Sequence, residues 1–156
     1  VEEWATVYEQ ELNDFNALLV KLLADRLAEA FAELMHQRIR REFWGYAVDE
    51  HPGPLPRNHS TYQGIRPAPG YPACPDHSEK RSLFDLLEAE QQTGIRLTEN
   101  FGMYPGASVC GYYFSHPASR YFNLGKIGKD QVHDYARRKN LSPEKIEKYL
   151  HPHLNY

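Results

Sequence analysis

From Phe15 to Met35 apolar residues return every three or four positions, and this stretch constrains the fold more than any other. Phe15, Leu18, Leu19, Leu22, Leu23, Leu27, Ala30, Phe31, Leu34 and Met35 have the spacing of a helix with one apolar side. Lys21, Asp25, Arg26, Glu29, Glu33, Arg38, Arg40, Arg41 and Glu42 mostly fill the other side. Asn13 and Asp14 are good N-caps, and Gly45 is a natural stop. The pattern predicts one long helix from about 14 to 43. A short helix over residues 1 to 10, with Trp4, Val7 and Tyr8 on one side, precedes it.

Residues 48 to 62 are polar, hold three prolines and show no period, which reads as a surface loop. The next stretch, Gly64 to His77, holds four prolines and two glycines. Each proline fixes φ, removes an N–H donor and pushes the preceding residue towards extended geometry. This stretch is therefore neither a helix nor a central strand; it is a stiff loop. Asp76-x-x-Glu79 then reads as a capping box, opening a helix over about 78 to 92 that Gly94 closes. Ile95 to Phe101, Ala107 to Ser115 and Arg120 to Leu124 are rich in β-branched and aromatic residues. Pro105-Gly106 and His116-Pro117 punctuate them, so two or three antiparallel strands are expected, with Val109 to Phe114 buried on at least one face. A helix from Lys129 or Asp130 to about Lys139 follows. Ser142-Pro143 starts a last one that runs to about Leu150 and is closed by Pro152. The fold class is α+β: a long helix and shorter helices on a small antiparallel sheet, without a Rossmann unit.

In the stiff loop Arg66 offers a planar fork of donors suited to a carboxylate or phosphate. Gly70 lets the backbone approach a ligand, and Tyr71 adds a flat face with a hydroxyl. From the residues alone, a rigid crossover with a solvated arginine is an equal reading. Glu29 reads as a solvated or ion-paired helix carboxylate, and Tyr121 with Phe122 as a strand pair packing the core. No glycine-rich phosphate loop or dinucleotide fingerprint is present, which leaves a Rossmann methyltransferase or a nucleotide hydrolase unsupported. Cys74 beside Asp76 and His77 raises a thiol nucleophile, although Asp76 and His77 are better explained by the helix start. His151-Pro152-His153 reads as a terminal tail, not a metal site.

A net charge of -3 leaves no basic surplus to displace counterions, so no nucleic-acid partner is expected. No apolar run reaches membrane-spanning length, and no signal peptide opens the chain. The two cysteines, Cys74 and Cys110, form no disulfide framework, which fits a cytoplasmic location. A length of 156 residues suits one domain, and Val1, not being an initiator Met, suggests a piece of something longer.

Arg66-x-x-x-Gly70-Tyr71 within GIRPAPGYPACPDHSEK resembles the signature of the C-terminal activation domain of cobalamin-dependent methionine synthase. LADRLAEAFAE (Leu23 to Glu33), WGYA (Trp44 to Ala47), TGIRLTE (Thr93 to Glu99), YPGASVCGYYFSHP (Tyr104 to Pro117) and KDQVHDYARRK (Lys129 to Lys139) resemble it too, in the family's order. The likeness covers the C-terminal half of that domain, so 1 to 156 is a single domain or the C-terminal part of one. The resemblance implies binding of S-adenosylmethionine by Arg66, Ala68, Gly70, Tyr71, Tyr121, Phe122 and Glu29, with no catalytic residue and no metal ligand of its own. Arg66 would pair with the ligand carboxylate, Glu29 would meet its ammonium group, and Tyr121 and Phe122 would lie against it. An acidic residue six positions before the arginine in some relatives is Ser60 here. The implied reaction is repair of methionine synthase: cob(II)alamin, bound mainly by another domain, is remethylated with one electron from a flavodoxin-type protein. Implied partners are that cobalamin-binding domain, the electron donor and the N-terminal half of the activation domain, which the chain lacks and whose absence would expose surface. The alternative is a docking module for flavodoxin or the cobalamin domain that no longer binds the small molecule.

Overall fold

A computed structural model describes residues 1–50 and 62–156. Helix α1 (Glu2–Gln10) turns at Leu12 into α2 (Asp14–Arg38), capped by Asn13, whose side chain accepts the N–H of Asn16 at 3.2 Å. A π-helical turn, Ile39–Phe43, extends α2. The carbonyl of Ile39 takes the N–H groups of both Trp44 and Gly45, and Gly45 ends the helix at φ +72°. The predicted span of about 14 to 43 is thus met.

The long helix leaves its apolar side exposed and, of its own charges that periodicity assigns to solvent, buries Glu33 alone. Its buried residues are Ala17, Ala32, Glu33 and His36, and Arg40 of the π turn is fully enclosed. Phe15, Leu27 and Phe31 are 75%, 71% and 62% exposed, so the apolar stripe faces outward. No helix of the described residues is long and apolar enough to cross a membrane.

The predicted helix over 78 to 92 is two: α3 (Glu79–Leu87) and α4 (Ala89–Thr93), separated by Glu88 at φ 49° and closed by Gly94 at φ 75°. The predicted capping box does not form. Asp76 Oδ1 does accept the Ser78 N–H at 2.7 Å, but Glu79 turns to Tyr135 and Lys139 instead of back to the Asp76 backbone. The sheet is small: β1 (Arg96–Leu97) pairs antiparallel with β2 (Met103–Tyr104), Arg96 opposite Tyr104. Residues 107–115 and 120–124 join no such ladder. Instead Ile65 and Phe114 exchange N–H···O bonds at 2.9 and 3.0 Å, and Tyr112 donates to the Pro67 carbonyl at 2.9 Å. Proline has no N–H to return, so this pairing cannot lengthen. The expected burial of Val109 to Phe114 is only partial, with Val109 and Phe114 exposed and Tyr112 and Tyr113 half-buried. The α+β class holds, with extended segments carrying most of what a sheet would.

Helices α5 (Lys129–Lys139) and α6 (Pro143–Leu150), followed by a 3-10 turn (His151–His153), form a hairpin. The Ser142 hydroxyl caps α6 and Pro143 sits in its first turn, as predicted. Ile127, Val132, Ala136, Ile146 and Leu150 are its buried cluster.

Candidate functional site

The stiff loop is fixed at three points. At its start Gly64 (φ +92°) lies so close to the Phe114 carbonyl that a Cβ would come within 2.4 Å of the oxygen. At its centre Ala68 to Cys74 closes on itself: Gly70 N–H to the Cys74 carbonyl at 2.7 Å, Cys74 N–H to the Tyr71 carbonyl at 2.8 Å. Gly70 sits at φ +100° with the His77 ring against its Cα; a Cβ there would lie 2.2 Å from His77 Cε1. At its far side the Pro72 carbonyl takes the Leu124 N–H at 3.1 Å, which brings residues 120–124 alongside.

That last contact explains how Tyr121 reaches Arg66 across 55 residues: the Arg66 backbone N–H donates to the Tyr121 hydroxyl at 2.9 Å. The Arg66 side chain turns the other way, into α2. Its Nη1 donates to Glu33 Oε2 at 2.5 Å and to the Tyr62 hydroxyl at 3.3 Å, and lies 3.5 Å from His36 Nδ1. Burial works against the Arg66 charge, but the Glu33 hydrogen bond and charge outweigh it and hold the guanidinium above its ordinary value. Burial, then the Glu33 charge, pushes Tyr62 up to about 12. Tyr62 in turn stacks on Arg40, 3.8 Å from guanidinium carbon to ring centre, and Arg40 makes a two-point pair with Glu50 at 2.6 Å on both arms. Nε and Nη2 of Arg66, which share one edge of the guanidinium, make no hydrogen bond within the described residues.

Of the residues singled out in the sequence, Arg66, Ala68, Gly70 and Tyr71 share the loop, and Tyr121 and Phe122 lie beside it. The side chains of Tyr71, Tyr121 and Phe122 are 58%, 42% and 57% exposed. Glu29 is exposed on α2, one turn before Glu33. Ser60 lies outside the described residues. Glu33, His36 and Tyr62, which grip Arg66, were not singled out, because on a helix map Glu33 reads as one more solvated charge. A carboxylate at i+4 from Glu29, on the face that meets the arginine loop, was the only trace.

Cys74 does not have a nucleophile's environment. Burial, then the Glu79 and Asp76 charges, pushes its thiol up, away from the reactive thiolate. Among the described residues no group of three or more His, Cys, Asp or Glu is placed to hold a metal ion.

Comparison with known proteins gives two findings. The family model for the vitamin B12 dependent methionine synthase activation domain matches residues 1–140. A solved structure, described as the crystal structure of the MetH reactivation domain bound to AdoHcy, is similar at TM-score 0.95 and 53% identity. The match covers 99% of this chain and 48% of that one, so the chain spans about half the length of this relative.

Proposed function

The chain belongs to the vitamin B12 dependent methionine synthase activation-domain family, and on that premise we propose that it binds S-adenosylmethionine as methyl donor for reductive reactivation of the enzyme. The observation that carries this reading is Arg66. Its guanidinium is anchored through Nη1, while the Nε–Nη2 edge makes no hydrogen bond among the described residues. That edge suits a two-point bond to the carboxylate of an amino-acid ligand. The relative's bound AdoHcy, which shares that amino-acid end, supports it.

The other residues fit the same ligand. The Ala68–Cys74 hairpin is preorganised by its own hydrogen bonds and loses little freedom on binding. The Ala68 N–H and the Pro69 and Gly70 carbonyls, which make no backbone hydrogen bond among the described residues, offer edges for adenine. Tyr121 and Phe122 present aromatic faces to a sulfonium, worth about 0.5 to 2 kcal/mol each where a face is met. Glu29 is available to the ligand ammonium. Cobalamin, carried by another domain in this reading, would supply the chemistry of the methyl acceptor, and the residues named here would hold only the methyl donor. The sulfonium brings its own leaving group, a neutral thioether, so the chain's task is placement, with no general acid or base required. A flavodoxin-type protein supplies the electron. The two free cysteines, Cys74 and Cys110, are compatible with the reducing cytoplasm where that chemistry would run.

Isothermal titration of S-adenosylmethionine into the protein, beside Arg66→Ala, tests this. We expect binding and its loss by about 10- to 100-fold in the variant, the worth of a charged hydrogen-bonded pair. Equal binding by both proteins would remove Arg66 from the site. A second reading, a docking module for the cobalamin domain or the electron donor, is favoured by the exposed apolar side of α2. Absence of binding by the chain, alone and joined to the other half of the domain, would leave that reading standing.

A further inference from the structure

We propose that Glu33 is a positioning residue for the amino-acid end of the ligand: it holds Arg66 by one nitrogen and so keeps the opposite edge of the guanidinium for the ligand. The proposal rests on the reading of Arg66 as the carboxylate anchor. Glu33 is 8% exposed and reaches Arg66 from α2, a separate element 33 residues away. Its bond, at 2.5 Å, goes to Nη1, and the accompanying contacts from Tyr62 and His36 go to that same nitrogen. The two N–H groups of Nη1 are taken up by Glu33 and Tyr62, which fixes where the fork sits. Nε and Nη2 are left with three N–H donors and no hydrogen bond within the described residues.

The charge balance favours the same role. An arginine buried with an internal carboxylate is neutral as a pair, so the ligand's zwitterionic end adds one carboxylate and one ammonium without stranding a charge. Replacing Glu33 by a neutral side chain leaves Arg66 as a net cation, free to swing. The anchoring geometry is lost before the charge is. Glu33 Oε1 is buried without a hydrogen-bond partner among the described residues, so the carboxylate is held by Arg66 more than by its own surroundings. This makes the pair mutually dependent.

The effect should be confined to ligands that own a carboxylate. Glu33→Gln keeps the size and an acceptor oxygen and removes the charge. In the full-length protein, S-adenosylhomocysteine and 5′-methylthioadenosine, which lacks the amino-acid end, are titrated against the unsubstituted protein, Glu33→Gln, Arg66→Ala and the double variant, with a thermal melt on each. We expect Glu33→Gln to weaken S-adenosylhomocysteine about 10- to 100-fold and to leave 5′-methylthioadenosine unchanged. The double variant should match Arg66→Ala, because Glu33 acts only through Arg66. Equal loss of both nucleosides would mean general damage to the site and would overturn the proposal. So would an unchanged affinity for both, or a double variant weaker than Arg66→Ala by the full Glu33→Gln effect. If Glu33→Gln fails to fold, Glu33→Asp, which keeps the charge but shortens the reach, takes its place with the same expectations. If the unsubstituted protein binds neither nucleoside, the parent reading fails and takes this one with it. A normal Arg66→Ala effect with a silent Glu33→Gln sinks this one alone.

Discussion

Gly70 shows what a single residue can fix. Its φ of +100° strains any other side chain, and the His77 ring occupies the place of a Cβ. Lys80, itself buried, lies 2.7 Å from His77 Nδ1 and holds the ring from behind. Gly70→Ala therefore meets two separate costs, backbone strain of about 1 to 3 kcal/mol and a collision with the ring. We expect a lower melting temperature and weaker ligand binding. Adding His77→Ala should recover the collision part alone, which a double-variant cycle of melts reads as less than additive loss. Cys74 gives the opposite kind of prediction: with its thiol pushed up by burial, iodoacetamide at neutral pH should modify it no faster than an ordinary thiol. Rapid alkylation, with activity lost in Cys74→Ser, would revive the thiol-enzyme reading. Arg66 and Gly70 were legible because a fork of donors and a glycine keep their meaning in any loop. Glu33 was not, because its burial depends on which loop comes to rest against α2, and no local pattern encodes that.

At the scale of elements, periodicity located the helices well and the strands poorly. Helix α2 repeats its pattern over many turns, and α5 and α6 carry strong start signals. The aromatic stretches 107–115 and 120–124 fit a pleated half-buried surface, and β propensity says no more than that. Their partner is the proline loop, whose missing N–H groups cut the ladder short. The break at Glu88 carries no glycine or proline to announce it. What joins these elements is a polar clamp. Asp76, buried, accepts from Tyr135 at 2.8 Å and from Lys139 at 3.1 Å; Glu79 accepts from the same two at 2.6 and 2.8 Å. The clamp ties the end of the loop and α3 to α5. Burial opposes the Asp76 charge, but bonds from Ser78, Tyr135 and Lys139 hold its carboxyl below the ordinary value. Burial likewise opposes the Lys139 charge, and Glu79 and Asp76 hold it above its ordinary value. A lowered carboxyl contributes stability that is present above the ordinary carboxylate range and lost as pH falls through the folded value. A raised lysine contributes below the ordinary lysine range and loses it as pH rises through the folded value. The clamp is thus intact through neutral pH. Lys139→Met leaves a buried carboxylate without its cation and should cost about 1 to 3 kcal/mol in denaturant unfolding at pH 7. It should also move the acid unfolding midpoint upward, because Asp76 then holds its proton more readily. An unmoved midpoint would mean that Ser78 and Tyr135 alone satisfy Asp76.

The whole molecule is lopsided. The apolar cluster of Ile127, Val132, Ala136, Ile146 and Leu150 lies with the C-terminal hairpin, whereas α2, the longest element, and the π turn after it bury Glu33, His36 and Arg40 and leave the leucines of α2 exposed. Burial of the Glu33–Arg66 and Arg40–Glu50 pairs requires this orientation. A helix cannot present one face to two places, so the stripe is left for something else. The chain spans about half of a relative that matches it at TM-score 0.95, and we expect the other half of such a domain to cover the stripe. Leu22 and Phe31, 51% and 62% exposed, separate the possibilities. Leu22→Asp and Phe31→Asp should shift the melt of the chain alone little, since surface substitutions stay within about 0.5 kcal/mol. Joined to the other half of the domain, the same substitutions should cost several kcal/mol each, because a charge would then enter a closed apolar contact. The joined protein should also melt at higher temperature than the chain, as more apolar area leaves water. If the joined protein tolerates both aspartates, the stripe lies outside the domain's own packing. The docking reading would then stand, and loss of binding to the cobalamin domain or to an electron donor in the two variants is the measurement that tests it.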